Sequence, residues 1–147
     1  GRQRKDFDIA IYATDISREA LQQVHSGLYS PSEVESVPRS ILERYFIRHG
    51  ELYEVRPDIR RMVNFSPFDL TSIIHRSLLE LDCIFCCNVL IYFQRQLQER
   101  VLGMLYDSLA IPGYLILGEV ETLTDNVCEK LECLDSKAKI YKKVRSK

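Results

Sequence analysis

Three polar side chains in this sequence stand where they could do chemistry. Asp15 closes a β-branched and aromatic run, Phe-Asp-Ile-Ala-Ile-Tyr-Ala-Thr-Asp-Ile, over residues 7–16. A carboxylate at the end of a strand can receive the hydroxyls of a ribose through charge-assisted hydrogen bonds. It can equally serve the start of the helix that follows at Ser17, and residue types alone leave both readings open. Asn88 directly follows the most apolar stretch of the chain, and a carboxamide there can both donate to a ligand and accept from it. Tyr92 comes next, beside Phe93; aromatic rings at this point suit a pocket wall or the core.

Metal chemistry is weakly signalled. Cys83-Ile-Phe-Cys86 spells C-x-x-C, and Cys128 and Cys133 form a second pair, which together raise a structural zinc reading. Within a strand, however, alternation sends Cys83 and Cys86 to opposite faces, so no metal is expected. His25, His49 and His75 have no ligand spacing. The G-x-S-x-G, P-loop and G-x-G-x-x-G patterns of hydrolases, kinases and dinucleotide enzymes do not occur.

The elements that must position these residues alternate between strand and helix. After the strand at 7–16, Ser17 is the expected N-cap of a helix with Ala20, Leu21 and Val24 at helical spacing, ending near Gly27. Serines and prolines between Tyr29 and Pro38 predict turns, leading to a short amphipathic piece at 40–46. His49-Gly50-Glu51 suits a hairpin within 47–55, and a further strand at 60–65 completes an expected small antiparallel insert. The apolar run at 78–93 predicts a buried, central, parallel strand. Residues 94–109 carry Leu97, Val101, Leu102, Leu105 and Leu109 at helical spacing, with Pro112-Gly113 as the stop before a strand at 114–117. A helix is expected at 125–133, and a last strand at 139–144 on a sheet edge, its lysines discouraging wrong pairing.

With 147 residues, the chain suits one core, so a single domain over 1–147 is expected. The 20 basic and 21 acidic residues nearly cancel, which argues against a nucleic-acid partner. No run approaches the roughly 18 apolar residues of a membrane span, and the first residues lead into a strand rather than a signal-peptide core. Five cysteines, an odd number, fit reduced thiols. A soluble cytoplasmic protein without membrane insertion is the expectation.

Four segments, in order, resemble the CheR-type chemotaxis methyltransferases that esterify receptor glutamates. They are Ala13-Thr14-Asp15-Ile16-Ser17 with the helix to Gly27-Leu28-Tyr29; Arg44-Tyr45-Phe46; Cys86-Cys87-Asn88-Val89-Leu90-Ile91-Tyr92-Phe93; and Gly113-Tyr114-Leu115-Ile116-Leu117-Gly118 continuing to Glu121. The third is the most specific, because the family carries Cys-Arg-Asn-Val-Leu-Ile-Tyr-Phe there. The resemblance implies an α/β, Rossmann-like sheet lacking the family's first strand and its Gly-containing loop. It also implies an antiparallel β insert at about residues 40–65 that touches the receptor. The open edges would close if the flanking strands paired directly or a second copy supplied a strand, which places a homo-oligomer among the expectations.

The resemblance further implies S-adenosylmethionine as cofactor, S-adenosylhomocysteine as product, and a chemoreceptor or other signalling protein as methyl acceptor. Asp15 would hold the ribose, Asp69 and Leu70 would border the adenine, Cys87 and Asn88 would line the cofactor, and Tyr92 would stand near the reactive methyl. Asp69 replaces the family's asparagine and Cys87 its arginine, which removes an amide donor and a fork of guanidinium donors. A noncatalytic, partner-binding module on the same scaffold is the alternative reading.

Overall fold

The computed structural model describes residues 9–72 and 79–145. The chain divides into two compact units, Gly1–Asp69 and Leu70–Lys147, and among the described residues its strands form three sheets.

The first unit opens with β1 (Ile11–Asp15) and α1 (Arg18–Ser26); residues 7 and 8 of the expected strand lie outside the described residues. Ser17 caps the helix as expected, its Oγ accepting the Ala20 N–H at 3.1 Å. Gly27 ends the helix at φ 67°, the left-handed conformation that glycine adopts without cost. Ala20, Leu21 and Val24 form the half-buried stripe of α1. There follow β2 (Leu28–Tyr29), α2 (Arg39–Tyr45), β3 (Phe46–His49), β4 (Leu52–Val55), the single turn α3 (Pro57–Arg60) and β5 (Val63–Pro67). β3 and β4 make the expected hairpin around Gly50, which takes φ 63°.

The expected strand at 60–65 forms as β5 but does not join that hairpin. It runs parallel to β1, with Ile11 opposite Val63 and Asp15 opposite Pro67. A parallel partner requires a long crossover rather than a turn, and residues 16–62 supply it. The insert's third strand is β2 instead, which pairs antiparallel with β4.

The second unit contains β6 (Leu81–Cys86), a 3-10 turn at Leu90–Tyr92, α4 (Arg95–Ser108), β7 (Leu109–Leu117), α5 (Asp125–Cys128), β8 (Leu131–Asp135) and β9 (Ile140–Lys143). The sheet order is β6-β7-β9-β8, with β6 and β7 parallel and the other pairs antiparallel. Val101, Leu102 and Leu105 of α4 pack with Leu109, Leu115, Leu117, Val127, Leu131 and Tyr141 into one core; Leu102 and Leu115 have no exposed surface.

Four expectations are corrected here. β6 is parallel but not central: among the described residues it pairs only with β7, and Phe85 on it is 74% exposed. The helix α4 stops at Ser108, and the strand begins at once, running through Pro112-Gly113. The pairing with β6 breaks between Leu109 and Tyr114, so the proline sits in an irregularity where the ladder needs no N–H. Gly113 is required there because a Cβ would stand 2.6 Å from the Ala110 carbonyl oxygen. The expected helix at 125–133 shrinks to one turn, because residues 131–135 gain an antiparallel partner in β9, with a register shift between Cys133 and Asp135. Finally, β9 lies inside the sheet, and Lys143 is buried: its Nζ donates to the Tyr106 and Leu109 carbonyls at 2.8 Å each and lies over the Tyr106 ring. A long amphipathic side chain can thus end a helix with its charge while its stem packs in the core.

No helix among the described residues is long and apolar enough to cross a membrane. Replacing Leu102 by alanine empties a fully buried site and is expected to lower unfolding stability by about 2–5 kcal/mol in a urea titration. Ser17→Ala, which removes the cap of α1, should cost about 1 kcal/mol in the same measurement.

Candidate cofactor site

In the first unit the site residues gather at one end of the parallel pair. Asp15 and Pro67 are opposite each other at the carboxyl ends of β1 and β5, and Asp69 follows two residues on. Open α/β sheets present ligands at that end. Asp15 serves the helix, as one reading held: Oδ1 accepts the Ser17 N–H at 2.7 Å. Its backbone oxygen accepts the Phe68 N–H at 3.1 Å, which ties the two strand ends together. Among the described residues Oδ2 accepts no hydrogen bond, and the side chain is exposed. Capping therefore occupies one oxygen of the carboxylate and leaves the other to a ligand, so the two readings do not exclude each other. Asp69 is half-buried.

In the second unit the site is built on the loop after β6. Asn88 takes φ 59°, a left-handed conformation that asparagine tolerates better than most residues. Val89 and Leu90 follow with their N–H groups both donating to Glu121 Oε1 at 2.8 Å. Glu121 Oε2 accepts the Gly118 N–H at 2.7 Å, and Glu121 is 2% exposed. One buried carboxylate thus joins the ends of the neighbouring parallel strands β6 and β7. The other end of the turn is held by Gln98 of α4, whose Nε2 donates to the Leu90 and Phe93 carbonyls at 3.0 Å each. Between these anchors Leu90 is buried and Tyr92 is turned outward, 80% exposed. Leu70 packs against the edge of the core.

Neither Glu121 nor Gln98 stood out in the sequence as a functional residue. The available signal was an acidic residue three positions beyond a glycine that ends an apolar strand. Such a side chain can fold back on the amides of its own turn.

The thiols follow their surroundings. Burial pushes the Cys86 thiol up to about 12, with the Glu121 charge and then Cys87 adding to it. Cys87, exposed on the loop, is raised in the same direction by partial burial and then by Glu121. Cys83 is exposed and Cys86 buried, as opposite faces of a strand require. Among the described residues no three His, Cys, Asp or Glu side chains converge on a metal position.

Within the first unit a strand-end carboxylate suits a diol, and within the second a carboxamide on a glycine-backed loop suits a polar edge; both are groups that a nucleoside carries. Comparison with known proteins gives the nucleoside's class. The family model described as "CheR methyltransferase, SAM binding domain" matches residues 1–140, and the chain belongs to that family of S-adenosylmethionine-binding methyltransferase domains. It is 34% identical over 123 residues to the chemotaxis protein methyltransferase of Salmonella typhimurium, covering 81% of this chain and 43% of that protein. The chemotaxis protein methyltransferase of Escherichia coli is 32% identical over 118 residues, 78% of this chain and 41% of that protein. An uncharacterized 104.1 kDa protein of Rhodobacter capsulatus is 30% identical over 137 residues, 93% of this chain and 14% of its own length. The chain therefore spans less than half the length of each of these relatives.

The Cys86 environment yields a test. The folded state holds the thiol protonated, so the unfolded chain gives up that proton first once the pH passes the ordinary value of 9.0. The associated stabilisation is complete below 9.0 and is lost as the pH climbs towards about 12. Thermal melts across that window are expected to fall more steeply for the wild type than for Cys86→Ala. Iodoacetamide near neutral pH should label exposed Cys128 and Cys133 well before Cys86, as read by peptide mass spectrometry.

Proposed function

We propose that this chain is the cofactor-binding part of a protein-glutamate methyltransferase that acts on a chemoreceptor. The observation that carries the reading is Asp15 at the carboxyl end of the parallel pair, its Oδ1 engaged by the Ser17 N–H and its Oδ2 accepting no hydrogen bond among the described residues. Asp15 receives the ribose hydroxyls, Asp69 and Leu70 border the adenine, and Cys87 and Asn88 line the cofactor. Tyr92, exposed on its turn, is placed beside the reactive methyl and helps to orient a reactant. The chain is read as one methyltransferase-like domain over 1–147 with a Rossmann-like sheet, in which the antiparallel insert of β2, β3 and β4 forms the surface offered to the receptor. Methyltransferase names of the Salmonella and Escherichia relatives support the activity and the chemotactic setting.

S-adenosylmethionine, when bound, supplies an electrophilic methyl on a sulfonium. The acceptor is a glutamate carboxylate, already ionised at neutral pH. That carboxylate would take the methyl by direct displacement, with a methyl ester and a neutral thioether as the products, while Asp15, Asp69, Leu70, Cys87 and Asn88 would hold the donor. No proton moves, so this chain's residues need supply no acid or base. Their work is alignment and the exclusion of water around the carboxylate. The replacement of the family's arginine by Cys87, a neutral thiol, favours one rival reading, a partner-binding module without turnover.

Isothermal titration with S-adenosylhomocysteine separates the two. Saturable binding to the wild type is expected, weakened at least about tenfold by Asp15→Ala. Asp15→Asn keeps an oxygen for the Ser17 N–H, so it should melt like the wild type yet share the binding loss. No binding to the wild type at millimolar ligand overturns the enzyme reading in favour of the partner-binding module.

A further inference from the structure

We infer that Glu121 is a positioning residue for the cofactor site: its buried carboxylate holds residues 88–90 in the backbone conformation that presents the Asn88 carboxamide. Cofactor affinity is then set, through Asn88, by a side chain that leaves no face for the ligand. This rests on the reading of Asn88 as a cofactor-lining residue.

Every acceptor position of Glu121 that the structure shows in use points to backbone. Oε1 takes the N–H groups of Val89 and Leu90, and Oε2 takes that of Gly118. The two segments so joined follow β6 and β7, neighbouring parallel strands whose loops open at the same end of the sheet. Asn88 immediately precedes the clamped amides and is held at φ 59°. A non-glycine residue persists in that region only where its surroundings over-determine it, and two charge-assisted hydrogen bonds on the next two residues do so.

Gly118 completes the arrangement. A Cβ there would stand 2.9 Å from Glu121 Oε2, 3.1 Å from the Asn88 backbone nitrogen and 3.2 Å from Asn88 Oδ1. Carboxylate, glycine and carboxamide are therefore close neighbours, with no space between them for a side chain at 118. Two loops could be joined more simply by apolar side chains, since burying a charge is costly unless its partners are in place. What the carboxylate adds is direction: three fixed N–H vectors, and with them the orientation of Asn88.

The test is a double-mutant cycle read by isothermal titration with S-adenosylhomocysteine, using the wild type, Glu121→Gln, Asn88→Ala and the double variant. Glutamine keeps the size but turns one oxygen into a donor that faces an N–H. Glu121→Gln and Asn88→Ala are each expected to weaken binding about tenfold, and the double variant no more than Asn88→Ala alone, because both act through one carboxamide. In methyl transfer by the full-length protein, Glu121→Gln should raise KM for S-adenosylmethionine while kcat stays within about twofold.

Binding by Glu121→Gln within about twofold of the wild type, or losses that multiply in the double variant, would overturn the positioning role while leaving the methyltransferase reading intact. Absence of binding to the wild type overturns that reading and the positioning role with it. If Glu121→Gln does not fold, Gly118→Ala presses on the same cluster from the backbone side. It should show the same loss and the same lack of additivity with Asn88→Ala, and independent effects would refute the proposal.

Discussion

The second unit depends on how a single buried carboxylate is satisfied. Glu121 is 2% exposed, and an isolated charge in such a place would be expelled or neutralised. It persists because three backbone N–H groups converge on it, from Val89, Leu90 and Gly118. Charge-assisted bonds of this kind are roughly twice as strong as neutral ones. The loop after β6 has no regular partner of its own, so these bonds give its amides their acceptor and its backbone a defined course. Cys86, buried beside this charge, is pushed further towards the protonated thiol. Electrostatics at the strand end and packing beneath it are thus one arrangement.

The same unit handles a buried lysine in the same way. Lys143 donates to the carbonyls of Tyr106 and Leu109, at the carboxyl end of α4, and lies over the Tyr106 ring. Carbonyls at a helix end carry partial negative charge. The lysine adds its donors to them, beside the Leu109 N–H that the Tyr106 carbonyl also accepts, where the chain passes straight from α4 into β7. Glu121 and Lys143 each gather separate backbone groups into a fixed corner of the fold.

In the first unit the constraint is the parallel pairing of β1 with β5. Parallel strands cannot be joined by a tight turn, so the chain between them has to leave the sheet and return. It does so through α1 and the small antiparallel sheet of β2, β3 and β4. Arg60 fastens the return: its Nη1 donates to the Ser26 carbonyl at the end of α1 at 3.0 Å, and its side chain occupies the space that a Cβ on Gly27 would need. The strand ends that carry Asp15 and Asp69 are held in register by a crossover that contributes no residue to them.

What sequence alone determined about this protein are features whose causes lie within a few residues. The cap at Ser17, the stop at Gly27, the hairpin at Gly50 and the apolar stripe of α4 all rest on local hydrogen bonding, backbone freedom and periodicity. Asp15 was legible as a strand-end carboxylate for the same reason, and an ordered set of short segments carried the family resemblance. The tertiary structure alone decided which strands pair. It took β5 out of the insert, moved β9 from edge to interior, drew residues 131–135 from helix into strand, and carried β7 through Pro112-Gly113. The pairings of β5 with β1 and of β9 with β7 depend on hydrogen bonds to residues far along the chain, and β8 becomes a strand only because β9, so placed, is there to pair with it. Glu121 was legible as the end of a family segment but its role was not, because that role comes from amides some thirty residues earlier that only the parallel alignment of β6 and β7 brings within reach.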